Sequence, residues 1–209
     1  MSSVRVDRLV TSGVFSLDGQ DFDVDNNVWL IGDDAEVLVV DAAHDAAAIE
    51  AAIGGRRVVA VVLTHGHNDH IDAAAELADR TGASLHLHPA DLMLFHVVHP
   101  DRTPQPLADG DELSVAGVAV QVLHTPGHSP GGVCLYVPAL DLLVSGDTLF
   151  QGGPGATGRS YSDFPTILDS IRERLLTLPA STRVVTGHGD ETTIGAEAPA
   201  YDDWVARGH

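Results

Sequence analysis

The sequence predicts an α/β chain, of the α+β kind, in which two β-sheets carry helices on their outer sides. Three observations lead there. Short apolar runs of strand length recur from one end of the chain to the other. Helical stretches are interspersed among them rather than collected at one end. The connections between strands are of both kinds, short hairpins and longer helix-bearing crossovers, so pairing is expected to be mixed parallel and antiparallel. The chain has 209 residues, of which 44% are apolar, enough for a sizeable core. With no repeat, low-complexity tract or linker, residues 1–209 read as one domain.

The elements follow in order. The first 41 residues read as short strands with turns; Asn27–Ile31 and Glu36–Val40 flank Gly32-Asp33-Asp34, a hairpin signal. Asp45–Ile53 is alanine-rich and reads as a helix stopped at Gly54-Gly55. Arg57–Leu63 is a continuous apolar run after its first residue, as expected of a strand buried on both faces. A histidine-rich loop follows directly. Ile71–Arg80 reads as a helix ended near Gly82, Ser84–His88 as a strand, and Pro89–Phe95 as a short helix. Glu112–Val115 and Val118–Leu123 make a hairpin around Gly117. Gly132–Val137 and Leu142–Ser145 are further strands, Phe164–Leu178 a helix, Thr182–Thr186 a last strand, and Ala198–Ala206 a closing helix.

Composition excludes several functions. Eleven cationic residues stand against thirty acidic ones, a net charge of −19. Every cation is arginine, which removes lysine chemistry such as Schiff-base formation. A surface this acidic repels phosphate backbones, so no nucleic-acid partner is expected. No apolar run approaches the roughly 18 residues of a membrane span, so no membrane partner is expected. Nor does the N-terminus show an apolar export signal, and a cytoplasmic location is the expectation. The one cysteine, Cys134, lies within the apolar stretch Val133–Val137 and reads as a small core residue.

The chemistry lies in Thr64-His65-Gly66-His67-Asn68-Asp69-His70. Four ligand-type side chains fall within six residues, straight after a buried strand. Imidazole and carboxylate suit zinc, iron or manganese, and Gly66 lets the backbone turn between two histidines. The Asp69-His70 pair opens the next helix, whose positive end suits a carboxylate. One zinc needs three or four protein ligands, so a second ion needs distant partners. Three glycine-bearing turns after strands offer them: Thr125–Gly132 with His128, Ser145–Thr148 with Asp147, and Thr186–Gly189 with His188. Taken singly, Asp147 reads as a turn former and His188 as a helix cap. The cluster at 65–70 is different, because four coordinating groups that close are costly to bury without an ion.

Thr64 to His70, followed in order by His128, Asp147 and His188, resembles the metallo-β-lactamase superfamily, over nearly the whole chain. The resemblance implies a four-layer αβ/βα sandwich with two divalent metals at one edge of the sheets. It implies that His65, His67 and His128 hold the first metal, that Asp69, His70 and His188 hold the second, and that Asp147 bridges them. It places Asp41, at its strand end, behind the histidine loop together with Thr64. Zinc is the expected metal, with iron and manganese as alternatives.

Two such ions roughly 3.5–4 Å apart can share a hydroxide at neutral pH, the expected nucleophile, with Asp69 orienting it; one ion would stabilise the oxyanion. No serine or cysteine nucleophile is needed. The best-known β-lactamases have cysteine where this chain has Asp147, which argues against that activity. Gly146–Phe150 and Gly155–Ser160 resemble the glyoxalase II-like group, thioester hydrolases, with Arg159 and Tyr161 near the substrate mouth. Thioesters fit the chemistry too: a thiol with a pKa of about 8.5 leaves as thiolate without a general acid, whereas an amide needs its nitrogen protonated. A C-terminal glutathione-binding domain is not expected after the last strand, and Arg159 is the one cation near the mouth. The expected substrate is therefore a small-molecule thioester of a less anionic thiol, such as S-acyl or S-formyl mycothiol, as in small actinobacterial members. An iron-dependent persulfide dioxygenase, a lactonase and a non-catalytic metal-binding protein are the competing readings.

Other histidines are weighed individually. His86 and His88 share a strand face and read as solvated or core residues. His96 and His99 sit where a lid over the metals would lie, His44 is close enough in sequence to Asp41 to approach the cluster, and His124 reads as structural.

Overall fold

The computed structural model describes residues 3–208. Met1, Ser2 and His209, which the one-domain reading includes, lie outside them. In place of the short strands expected before Asp41, the chain opens with two long ones, β1 (Arg5–Leu17) and β2 (Gln20–Gly32), paired antiparallel along their whole length. Their turn is Asp18-Gly19, with φ of 53° and 73°, the two-residue Asp-Gly geometry whose twist matches that of the strands. β3 (Glu36–Val40) continues the meander, and β4 (Arg57–Val62), β5 (Ser84–Leu87) and β6 (Gln105–Pro106) add to it in parallel. These six strands form the first sheet in sequence order.

The second sheet also has six strands. β7 (Glu112–Val115), β8 (Val118–His124), β9 (Val133–Val137) and β10 (Leu142–Gly146) run antiparallel. A two-stranded ribbon that the sequence analysis does not foresee follows, β11 (Leu149–Phe150) with β12 (Gly153–Pro154). β13 (Arg183–Thr186) then joins β10 in parallel, and β14 (Thr192–Thr193) completes the edge.

Helices pack on the outside of both sheets. α1 (Ala46–Ile53) is capped by Asp45, whose side chain accepts from the Ala48 N–H, and ends in left-handed Gly54, as aspartate caps and glycine C-termini do. The helix expected over Ile71–Arg80 is divided into α2 (Asn68–Ile71) and α3 (Ala74–Thr81), and α4 spans Leu92–Val98. α5 (Phe164–Ser170) starts at Asp163, which caps Thr166. The expected helix to Leu178 instead passes at Ile171–Leu175 into a wider turn, with Leu176 N–H bonded to Ile171 C=O. Ile171 and Leu175 both reach the core. α6 (Ile194–Glu197) and α7 (Tyr201–Arg207) end the described chain. No described helix is long and apolar enough to cross a membrane.

Three apolar layers hold this arrangement together. Ile31, Leu38, Val40 and Val62 of the first sheet meet Val120, Leu135, Val144 and Val185 of the second in the middle layer. Leu30, Val39, Ile49, Leu63, Leu77 and Phe95 fill the space under α1, α3 and α4. Leu143, Ile167, Ile171, Leu175 and Trp204 fill the other outer layer. Each such buried aliphatic contributes about 1.5–3 kcal/mol. The order is therefore helix, sheet, sheet, helix. β3, β4, β10 and β13, parallel within each sheet, all end at one edge, and the loops that leave those ends carry Asp41, Thr64–His70, Asp147 and His188.

Candidate metal centre

Each sequence-predicted ligand arrives on a loop that leaves a buried strand. β4 delivers His65 and His67, and one turn of helix, α2, delivers Asp69 and His70. His128 comes from the β8–β9 loop, Asp147 from the end of β10, and His188 from the end of β13. Gly66 serves by its smallness: a Cβ there would lie 2.9 Å from the Asp91 carbonyl oxygen and from Leu94 Cβ.

The seven side chains converge. His67 Nδ1 lies 3.0 Å from both His65 Nε2 and His128 Nε2. His70 Nε2 lies 3.2 Å from His188 Nε2, and Asp69 Oδ2 lies 3.5 and 3.3 Å from those two nitrogens. Asp147 stands between the triads: Oδ1 is 3.5 Å from His70 Nε2, and Oδ2 is 3.4 Å from His188 Nε2 and 3.7 Å from His128 Nε2.

The opposite edge of most of these rings is held. His128 Nδ1 donates to the Ala156 carbonyl at 2.7 Å and His188 Nδ1 to the Asp25 carbonyl at 2.8 Å. A carbonyl can only accept, so each ring carries a proton on Nδ1 and turns Nε2 toward the cluster. Asp41 does the same for two more rings. Its Oδ2 accepts from Thr64 Oγ1 at 2.7 Å and from His70 Nδ1 at 3.0 Å, and Thr64 Oγ1 in turn accepts from His65 Nδ1 at 3.1 Å. Asp41 is itself strained, with φ of 56°, and its Oδ1 takes the Thr64 N–H at 2.7 Å.

The electrostatics divide the cluster. Burial, reinforced by His70 for one and by His128 for the other, pushes His65 well below the usual imidazole range and His67 down to about 3. Burial also opposes the cationic form of His70 and His188. There Asp69 and Asp147 prevail, lifting His70 well above its ordinary value and His188 to about 10. Against the cost of their own burial, His70 and His188 hold Asp69 at about 2 and Asp147 well below the usual carboxylate range.

The donor set fits divalent cations. Lone-pair nitrogens about 3 Å apart repel unless a cation lies among them. Asp69 Oδ1 and Asp147 Oδ1 are buried with no hydrogen-bond partner, a costly arrangement without an ion or substrate to receive them. The groupings His65/His67/His128 and Asp69/His70/His188 each bring their ligand atoms within 4.8 Å of one another.

Several residues that matter here are not singled out by the sequence. Asp91 is fully buried, and its carboxylate accepts from Gly66 N–H at 2.9 Å, Ser129 Oγ at 2.7 Å and Gly131 N–H at 2.6 Å, tying the His65–His67 loop to the His128 loop. Asn26 donates to Asp69 Oδ2 at 3.0 Å. Phe15 packs its ring 5.4 Å from that of His67. The Asp91-x-x spacing carries no motif, and strand β2 gives no sign that Asn26 points at a site.

The mouth is a narrow cleft of about 50 Å³ between the β1–β2 hairpin and the 156–162 loop, lined by Phe15, Leu17, His67, His128, Arg159 and Ser160 among others. Arg159 lies over Phe22 at 4.7 Å and Phe15 at 6.0 Å, a cation–π contact. Tyr161 is 57% exposed on the same loop with φ of 70°. His86, His88, His96, His99 and His124 stay apart from the cluster. His96 bonds Arg102 C=O and His99 bonds Ile71 C=O, beside α4 and not over the metals; His86 meets Ser84, and His88 stacks on His124 at 4.1 Å. Cys134 is buried in an outer layer and its thiol is pushed up to about 11 by that burial.

The family model described as the metallo-beta-lactamase superfamily matches residues 22–188. The chain belongs to the metallo-β-lactamase superfamily. It is 38% identical to a "Probable metallo-hydrolase YqgX" of Bacillus subtilis over 82% of this chain and 88% of the relative. It is 34% identical to "Hydroxyacylglutathione hydrolase GloC" of Haemophilus influenzae over 66% of this chain and 71% of that one. Among solved structures of the superfamily, TTHA1623 in a di-iron-bound form is 33% identical, with a TM-score of 0.75, 84% of this chain covered and 93% of the other.

Proposed function

We propose that this protein hydrolyses thioesters of a low-molecular-weight thiol. His65, His67 and His128 would hold one divalent metal and Asp69, His70 and His188 a second, with Asp147 shared; zinc is the metal proposed. When bound, two such ions supply Lewis-acid polarisation of a carbonyl and a deprotonated water at neutral pH.

The chain's own residues do the rest. Asp69 Oδ1, buried and unpartnered, is the acceptor that orients an attacking water and takes its proton. Asp41 and Thr64 fix the tautomers of His65 and His70. The cleft walls, Phe15 and Leu17, exclude water from the acyl group, and Arg159 with Tyr161 meets the thiol carrier at the rim. Among the described residues lining the cleft there is no carboxyl or lysine to protonate a leaving group. A thiolate, from a thiol with a pKa of about 8.5, needs none. That absence is the observation that carries the reading, and the likeness to a hydroxyacylglutathione hydrolase supports it. Because Arg159 is the cation at the rim, a sparsely anionic carrier is favoured, with S-acyl or S-formyl mycothiol as the leading candidate. The substrate is a free small molecule, with no part for nucleic acid or membrane, and one domain carries the whole activity. A panel of glutathione and mycothiol thioesters tests this: hydrolysis of both, with mycothiol esters the better substrates, is expected, and inactivity on every thioester would refute it.

A further inference from the structure

The histidine at position 44 sits outside the ligand set, yet it is wired to it. His44 Nε2 lies 2.8 Å from Asn26 Oδ1, and the other end of the same amide, Nδ2, donates to Asp69 Oδ2 at 3.0 Å. Because the Asn26 amide must turn its NH₂ toward a carboxylate, its oxygen faces His44, and His44 Nε2 is the donor. On the other side of the ring, Nδ1 lies 3.0 Å from Asp72 Oδ2, while Asp72 Oδ1 takes the His44 backbone N–H at 2.5 Å. The chain of contacts runs Asp72, His44, Asn26, Asp69.

Three features show that this is a built arrangement. His44 holds a left-handed backbone, with φ of 63°, costly for a residue with a side chain. Its ring also occupies the space over Gly13, where any Cβ on β1 would collide with it. Its side chain is only 4% exposed. Without His44 the Asn26 amide keeps its NH₂ toward Asp69 but loses the contact that anchors its far end, so its hold on Asp69 Oδ2 loosens.

We infer that His44 is a positioning residue, which acts through Asn26 to aim the Asp69 carboxylate and so sets how tightly the Asp69/His70/His188 half of the centre holds its metal. Among the described residues His65, His67 and His128 make no hydrogen bond to these four, so the other half is expected to keep its affinity. This inference rests on the two-metal reading above.

The test is a zinc competition titration on metal-free wild type, His44→Leu, His44→Gln and Asn26→Ala, with kcat and KM on the best thioester. Wild type is expected to bind two equivalents. H44L is expected to bind one as tightly as wild type and the other at least about tenfold more weakly, the usual cost of losing a partner behind a ligand. Its kcat falls while KM holds. H44Q, whose amide can donate to Asn26, recovers most of the affinity, and N26A copies H44L. Should H44L not fold, the comparison of N26A with wild type decides. Unchanged affinity for both zinc equivalents in H44L or N26A would overturn the inference, as would equal weakening in H44L and H44Q. A wild type that binds fewer than two equivalents would instead defeat the two-metal reading.

Discussion

The two halves of the candidate metal centre both draw on the Thr64–His70 segment but behave as different materials. His65, His67 and His128 are three imidazoles with no carboxylate of their own, and burial keeps His65 and His67 neutral. Asp69, His70 and His188 include an anion, and together with Asp147 it favours the cationic form of both imidazoles against their burial. Without metal, therefore, the first half presents lone pairs and the second presents ion pairs. A cation entering the second half must displace protons; one entering the first need not. Asp147 and Asp41 are the residues common to both.

Removing Asp147, the ligand proposed to serve both halves, should erase the difference. Asp147→Ala is expected to lose both metal equivalents and about 10³-fold or more in kcat/KM, several kcal/mol of lost charge stabilisation, measured by metal analysis and steady-state kinetics. Asp69→Ala should separate the halves: one equivalent retained, turnover and metal content lowered together, with a loss of about 10²-fold from the missing proton acceptor. Full activity in that variant would break the comparison. Asp41→Asn should weaken both equivalents, by about 10–100-fold each, since it touches His70 directly and His65 through Thr64.

Stability against pH should show the halves pulling in opposite directions in the metal-free protein. His67 has a folded value of about 3, below its unfolded value of about 6.5, so between those limits the unfolded chain binds more protons and stability is lost as pH falls. His188 has a folded value of about 10. Its contribution is fully present below about 6.5 and is lost as pH rises through 10. Metal-free Tm is thus expected to peak near neutral pH and fall on both sides. His67→Ala should flatten the acid side and His188→Ala the alkaline side. The smallest effects belong to the rim: Arg159→Ala is expected to raise KM by about tenfold with kcat nearly unchanged, as loss of uniform binding does, and Tyr161→Phe to change it less.

Much of this centre was legible in the chain because the ligands are a matter of residue type at strand exits. His-x-His-x-Asp-His after an apolar run, and one His or Asp beside glycine at each later exit, are local patterns. The partners behind the ligands were not legible, because they arise from tertiary approach. Asp25 acts through its backbone carbonyl, Asn26 lies in an ordinary-looking strand, and Asp91 joins loops 25 and 40 residues away from it in sequence. Asp41 was legible only through resemblance. The long hairpin was missed although Asp18-Gly19 marks its turn, because most of β1 is at least partly exposed and shows no strong apolar alternation. The bend into a wider turn at Ile171 has no glycine or proline to announce it.

The central claim is that both halves are filled together and serve thioester hydrolysis. Metal quantification on the purified protein, coupled to turnover on a panel of acyl thioesters, lactones, β-lactams and a persulfide, tests it most directly. Two divalent ions per chain and highest kcat/KM on thioesters are expected, with activity tracking occupancy of the Asp69/His70/His188 half. A single iron per chain with sulfite produced from the persulfide would contradict it, as would two ions with preference for lactones or with no turnover at all.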